Sequence, residues 1–236
     1  MDARCIGRDV NVPTMDGRLA FAVELEQRDA TVAGRIDELA ETSAAVERIR
    51  ARAAEIRSLL DGVPAERAHL DEAESEAADA LEAARAALLE AEAAEHRARG
   101  GDAREAARSK VAHAGASVRA EEERRGRLLA RRSTLEQQAD QLGAEAVDLE
   151  RQAREIAGAL DETSRVSPTA PPEPGLAGVV EWGARAHAAL LVARGGLESE
   201  RERIVREANE LASSVLGEPL YTASVPVVRK RLEDVL

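Results

Sequence analysis

Residues 128–156 read LLARRSTLEQQADQLGAEAVDLERQAREI, and Leu128, Leu135, Leu142, Leu149 and Ile156 recur in them at strict seven-residue spacing. Four residues after each lies Arg132, Ala139, Ala146, Ala153 or Leu160, so the second slot of the repeat is small or apolar in four of five cases. Seven residues fall slightly short of two turns of a free helix. Helices that hold such a stripe against a partner must therefore wind around one another. The stretch predicts an all-α fold built on an elongated antiparallel coiled-coil hairpin, with this seam as its association surface.

Composition agrees. Hydrophobic residues make up 44% of the 236 residues, yet the chain has one Phe, one Tyr and one Trp. Large aromatics dominate compact cores, so the apolar surface is expected to be spread along a thin seam. The charged fraction of 33% supplies solvated faces, and abundant Ala, Glu, Arg and Leu favour helix. A net charge of −12 argues against nucleic acid or an anionic membrane as the main partner. Basic residues are almost all arginine, which suggests a GC-rich bacterial genome. Cys5 is the sole cysteine, which suits a reducing cytosol. No apolar run approaches the ~20 residues that span a bilayer, and no signal-peptide core is seen. A cytoplasmic protein is the expectation.

Outward from the seam, the pattern divides the chain. Residues 1–15 are polar and predict a flexible tail. Residues 16–60 carry a helical stripe through Leu25, Val32, Ile36, Leu39, Val46, Ile49, Ile56 and Leu60, with a change of phase around Val46. Asp61-Gly62-Val63-Pro64 predicts a turn, because glycine suits a helix C-cap and proline blocks continuation. Residues 65–100 alternate leucine and alanine, from Leu70 and Ala77 to Leu88 and Ala94. The expectation is a hairpin over 16–100 that turns at 61–64. Gly100-Gly101-Asp102 reads as a turn or a kink, the rival being a weak point in one continuous helix, with Asp102 able to cap a long coiled-coil helix over 102–160. Pro168, Pro171, Pro172 and Pro174 make 161–175 a linker. A C-terminal helical module, 176–236, is expected to fold back on the coiled coil, ending in a short helix from Val225 to Leu236.

Chemistry-bearing patterns are sparse. Glu66-Arg67-Ala68-His69 has the Glu-x-x-His spacing of di-iron bundles, but His96, His113 and His187 lack a matching glutamate, so no metal site is expected. No phosphate-binding loop signature is present. We therefore expect no catalytic residues and no cofactor. Arg124, Arg125, Arg127, Arg131 and Arg132 form the densest basic run. Glu121, Glu122 and Glu123 precede it, and Glu121→Arg125 and Glu123→Arg127 are favourable helix pairs, so a self-neutralised surface is expected. Arg132, in a seam slot, is expected to select a register. Trp182 is a candidate partner anchor, although a lone Trp in an amphipathic helix more often fills the local core, and Tyr221 lies between Pro219 and Pro226 in the same module.

The hairpin pattern with alanine-rich seams resembles the coiled-coil arms of SMC-type chromosome proteins. The chain length and all-helical hairpin also resemble the PspA/ESCRT-III-like membrane remodellers. The first resemblance implies nucleic-acid association through Arg124–Arg132. The second implies assembly on membranes, and neither transfers a residue. The residues themselves favour a non-enzymatic scaffold or adaptor that binds proteins and self-associates.

Overall fold

The computed structural model describes residues 15–162, 170–217 and 224–235, and every regular element among them is a helix. In chain order they are α1 (Met15–Arg97), α2 (Gly101–Glu162), α3 (Leu176–Leu216) and α4 (Val225–Val235). The chain forms two compact units. One comprises residues 51–151 with 174–178; the other comprises residues up to Arg50, 152–173 and 179–236.

The hairpin is real, but its turn is not at 61–64. α1 runs through Gly62 and Pro64 as one helix of 83 residues. Proline inside a helix deletes the hydrogen bond to the carbonyl four residues back, here Leu60, at a cost of about 3 kcal/mol. The offset lies in the stripe. Ile49, Ala53, Ile56, Leu60, Val63, Arg67, Leu70, Glu74, Ala77 and Leu81 follow one another by steps of four and three without a slip. Pro64 falls outside that stripe and is exposed. Ile56, Leu70 and Leu81 are buried on either side of it. Burying one such side chain contributes about 1.5–3 kcal/mol, so keeping the stripe in phase outweighs one broken bond.

The chain reverses instead at Ala98–Gly100. Gly100 has φ of 98°, a left-handed conformation open to glycine, and its carbonyl accepts the first bond of α2 from the Arg104 N–H at 3.2 Å. Arg97 Nε donates to the Ala93 carbonyl, Arg104 Nε donates to the Ala98 carbonyl, and the Ala98 N–H donates to the Glu95 carbonyl in the last turn of α1 at 3.1 Å. Asp102 lies in the first turn of α2, where a negative charge suits the helix dipole. Ion pairs then run outward from this turn: Glu95–Arg108, Arg85–Glu122, Glu76–Arg124, Arg67–Glu136 and Arg52–Glu145. One partner's number falls as the other's rises, which is the antiparallel register.

In the other unit, α3 and α4 pack on the first part of α1. The shared core holds Leu25 and Val32 of α1, Leu197, Ile204 and Ala208 of α3, and Val225, Val228 and Leu232 of α4. α3 also meets the end of α2, where Ile156 and Leu160 line one groove with Leu197. α3 continues as helix through Gly195 and Gly196 and stops at Gly217, whose φ of 70° and N–H bond to Ser213 close it. The tail expected at residues 1–15 lies almost wholly outside the described residues, as do Cys5 and Tyr221.

Pro64→Ala is expected to raise stability by about 2 kcal/mol, the helix gain less the entropy that proline removes from the unfolded chain. Urea unfolding followed by circular dichroism reads this. An unchanged or lowered midpoint would mean the chain turns at 61–64 after all.

Candidate interaction surfaces

In the hairpin unit the seam is already occupied. Leu135 and Leu149 are buried, and Leu128 and Leu142 are half-buried, within the single chain. Ile156, in the other unit, is half-buried and lines a groove there. α1 thus lies along Leu128–Leu149 within the chain.

The basic run is likewise spent within the hairpin. Arg131 bonds Glu66 at 2.8 Å, Arg124 lies 3.7 Å from Glu76 and 3.6 Å from Glu121, and Arg127 lies 3.9 Å from Glu123. Among the described residues Arg125 alone of the five has no ion pair. Arg132 sits in its seam slot between three carboxylates, with Nη1 3.0 Å from Asp71 and 3.2 Å from Glu74, and Nε 3.4 Å from Glu136. Its bond to Glu136 and the charges of Asp71 and Glu74 raise its pKa further. A guanidinium so placed fixes the register, because sliding either helix by one turn strands it.

The strongest clamp was missed from sequence. Arg52 donates from Nε and Nη2 to the two oxygens of Glu145 at 2.6 and 2.7 Å, a fork-to-fork pair, and from Nη1 to Glu55. It holds the Glu145 carboxyl below its ordinary range and raises its own pKa. Glu66, half of the Glu-x-x-His spacing, is engaged by Arg131, and His69 is exposed.

In the other unit Trp182 is fully buried, so it fills the core and is not a surface anchor. Its indole N–H has no hydrogen-bond partner among the described residues, a cost of about 1–3 kcal/mol that its large apolar area has to offset. Beside it the helices touch closely: a Cβ on Gly183 would lie 2.8 Å from Arg50 Cβ. Asp29, in a stripe slot between Leu25 and Val32, is buried and accepts from Arg201 Nε at 2.9 Å. The Asp29 bond and charge raise the Arg201 pKa.

A polar cluster joins α1 to α3. Ser43 Oγ lies 2.9 Å from His187 Nδ1, and Glu47 Oε1 lies 3.5 Å from the same nitrogen. Glu47 also accepts two bonds from Arg50. A catalytic triad needs the carboxylate on the ring nitrogen that does not meet the hydroxyl. Here both meet Nδ1, so the cluster is a tie between helices. Where α1, α2 and α3 meet lies an open groove of about 960 Å³. Leu39, Ile156, Leu160 and Leu197 line it with apolar surface, and Arg35, Glu38 and Glu200 add charge.

α3 is the one described helix long and apolar enough to cross a membrane. Core helices of soluble proteins pass that test as well, and Val179, Trp182, Ala186 and Leu190 on it are core residues.

Lowering the pH should test the Arg52 clamp. A carboxyl held below its ordinary 4.5 gives stability that is full above that value and is lost as pH falls through the lowered one. The stability lost on acidification below about pH 4.5 should therefore be smaller in Arg52→Gln than in the parent. Equal losses would remove the clamp's role. A second pair of variants tests the close contact. Gly183→Ala should destabilise by about 1–3 kcal/mol through overpacking. Gly195→Ala, with open space around the added Cβ, should stabilise by about 1 kcal/mol.

No family model matches this chain, and neither a curated protein nor a solved structure matches it.

Proposed function

We propose that the chain is a non-enzymatic cytoplasmic scaffold or adaptor that works by protein–protein association. One observation supports this best. The hairpin satisfies its seam and most of its basic run internally, and its exposed apolar residues, Leu59, Leu89, Leu129 and Val147, are scattered along the sequence; α3 exposes two consecutive ones, Leu191 at 50% and Val192 at 78%. A solvent-facing apolar patch between charged residues is the usual mark of a surface that meets another macromolecule. A stiff two-helix hairpin then serves as a spacer, and association falls to the unit that contains α3. In-cell crosslinking of the full chain, read by mass spectrometry, tests this. Stoichiometric crosslinks from the α3 surface to other proteins are expected. Crosslinks confined to the chain itself would overturn the adaptor reading.

The apolar length of α3 favours a second reading, assembly on a membrane surface. Co-sedimentation with anionic vesicles would carry it, and chain left wholly in the supernatant would sink it. The nucleic-acid reading ranks third, since four of the five arginines it needs already face carboxylates.

A further inference from the structure

We propose that the exposed face of α3 is a self-association surface, where a second copy of this chain docks antiparallel across a two-fold axis between Ala193 and Arg194. This rests on the reading that the chain works by protein association, and it names one partner.

Three observations carry it. First, the face has an apolar centre. Val192 is the most exposed large apolar side chain among the described residues. Ala188, Gly195, Gly196 and Ser199, one helical turn or two away on the same face, are exposed too. Second, nothing within the chain packs against either glycine, although Gly196 also borders the groove lined by Leu39 and Leu197. Both are helical, neither has a left-handed φ, and a Cβ added to either meets nothing within 4 Å. Each still costs the helix about 1 kcal/mol. Paired glycines on a helix surface let another backbone approach closely, and Val192 is the knob sized for that hole.

Third, the face is complementary to itself. About the point between Ala193 and Arg194, Val192 pairs with Gly195, Ala188 with Ser199, and Glu181 with Arg206. An isologous two-fold contact requires this reciprocity, because each half must match the other. Glu181 and Arg206 are exposed, and neither has an ion-pair partner among the described residues. The two-fold would make two Glu181–Arg206 pairs at the rims, one at each end of the apolar centre. Arg185 comes opposite Glu202 and Arg203, and Arg203 already has Glu207 at 3.9 Å. The like charges on that flank are thereby offset. A different protein would have no need to match this pattern about its own midpoint.

The test is sedimentation velocity of the full chain over a concentration series. Parent chain should pass from monomer to dimer. Val192→Glu should weaken the dimer about tenfold or more, because it leaves two charges unpaired in the interface. Gly195→Leu should weaken it similarly while raising the monomer's helix stability, which separates lost docking from lost folding. Glu181→Arg and Arg206→Glu should each dimerise poorly alone, and their mixture should recover a heterodimer. A parent chain that stays monomeric overturns this proposal. It leaves the adaptor reading to the crosslinking experiment. A dimer indifferent to Val192→Glu, or a mixture that fails to recover, overturns the α3 face as the interface.

Discussion

Both units depend on a single helix that has to keep an apolar stripe turned toward its neighbours over 83 residues. A straight helix has 3.6 residues per turn and a heptad stripe 3.5, so a stripe stays on one face only if the helix supercoils or the pattern slips. α1 uses both devices. From Ile49 onward the steps of four and three are unbroken, and α2 lies against that stretch. Before Val46 the stripe runs in another phase, through Leu25, Val32, Ile36 and Leu39, and there α3 and α4 join the core, with Ile156 and Leu160 of α2 near Leu39. The phase change falls beside the boundary between the units at Arg50.

This constraint explains where the sequence was readable and where it misled. The Leu128–Ile156 repeat, the turn at Gly100, the linker before Leu176 and the start of the last helix at Val225 all follow from local signals that agree with the long-range pattern. The segment 61–64 is the instructive conflict. Asp-Gly-Val-Pro is a strong local breaker, and by itself it points to a hairpin turn there. The stripe was nevertheless in phase on both sides of Pro64, and a turn would have had no reason to preserve that phase. Summed over several buried side chains, periodicity outweighs one proline.

Side-chain roles were legible unevenly. Arg132 stood out because a charge in a seam slot demands partners, and it has three. Asp29 sits in an equivalent slot and went unread, although Arg201 answers it. Trp182 could not be placed from sequence, because an amphipathic helix does not reveal which element will cover it. The Ser43–His187–Glu47 cluster had no signal at all. Its members come from helices far apart in sequence and carry no motif spacing.

The distribution of charge bears on what the hairpin can pair with. From Asp71 to Glu82 α1 carries six carboxylates and no basic residue, while α2 from Arg124 to Arg132 carries five arginines and no carboxylate. A parallel pair of α1 helices would set those carboxylates against their own copies, and α2 would repel itself in the same way. Antiparallel pairing of α1 with α2 brings opposite charges together at Asp71–Arg132, Glu76–Arg124 and Glu66–Arg131. Each exposed pair contributes little by itself. The segregation acts mainly against alternatives, since it penalises wrong partners and registers more than it stabilises the right one. A hairpin specified this way is a poor surface for recruiting a second copy of itself. Association through the coiled coil would have to undo the arrangement that forms it. The surface left for association is one whose seams and charges the fold has not already used, and on α3 such a face remains.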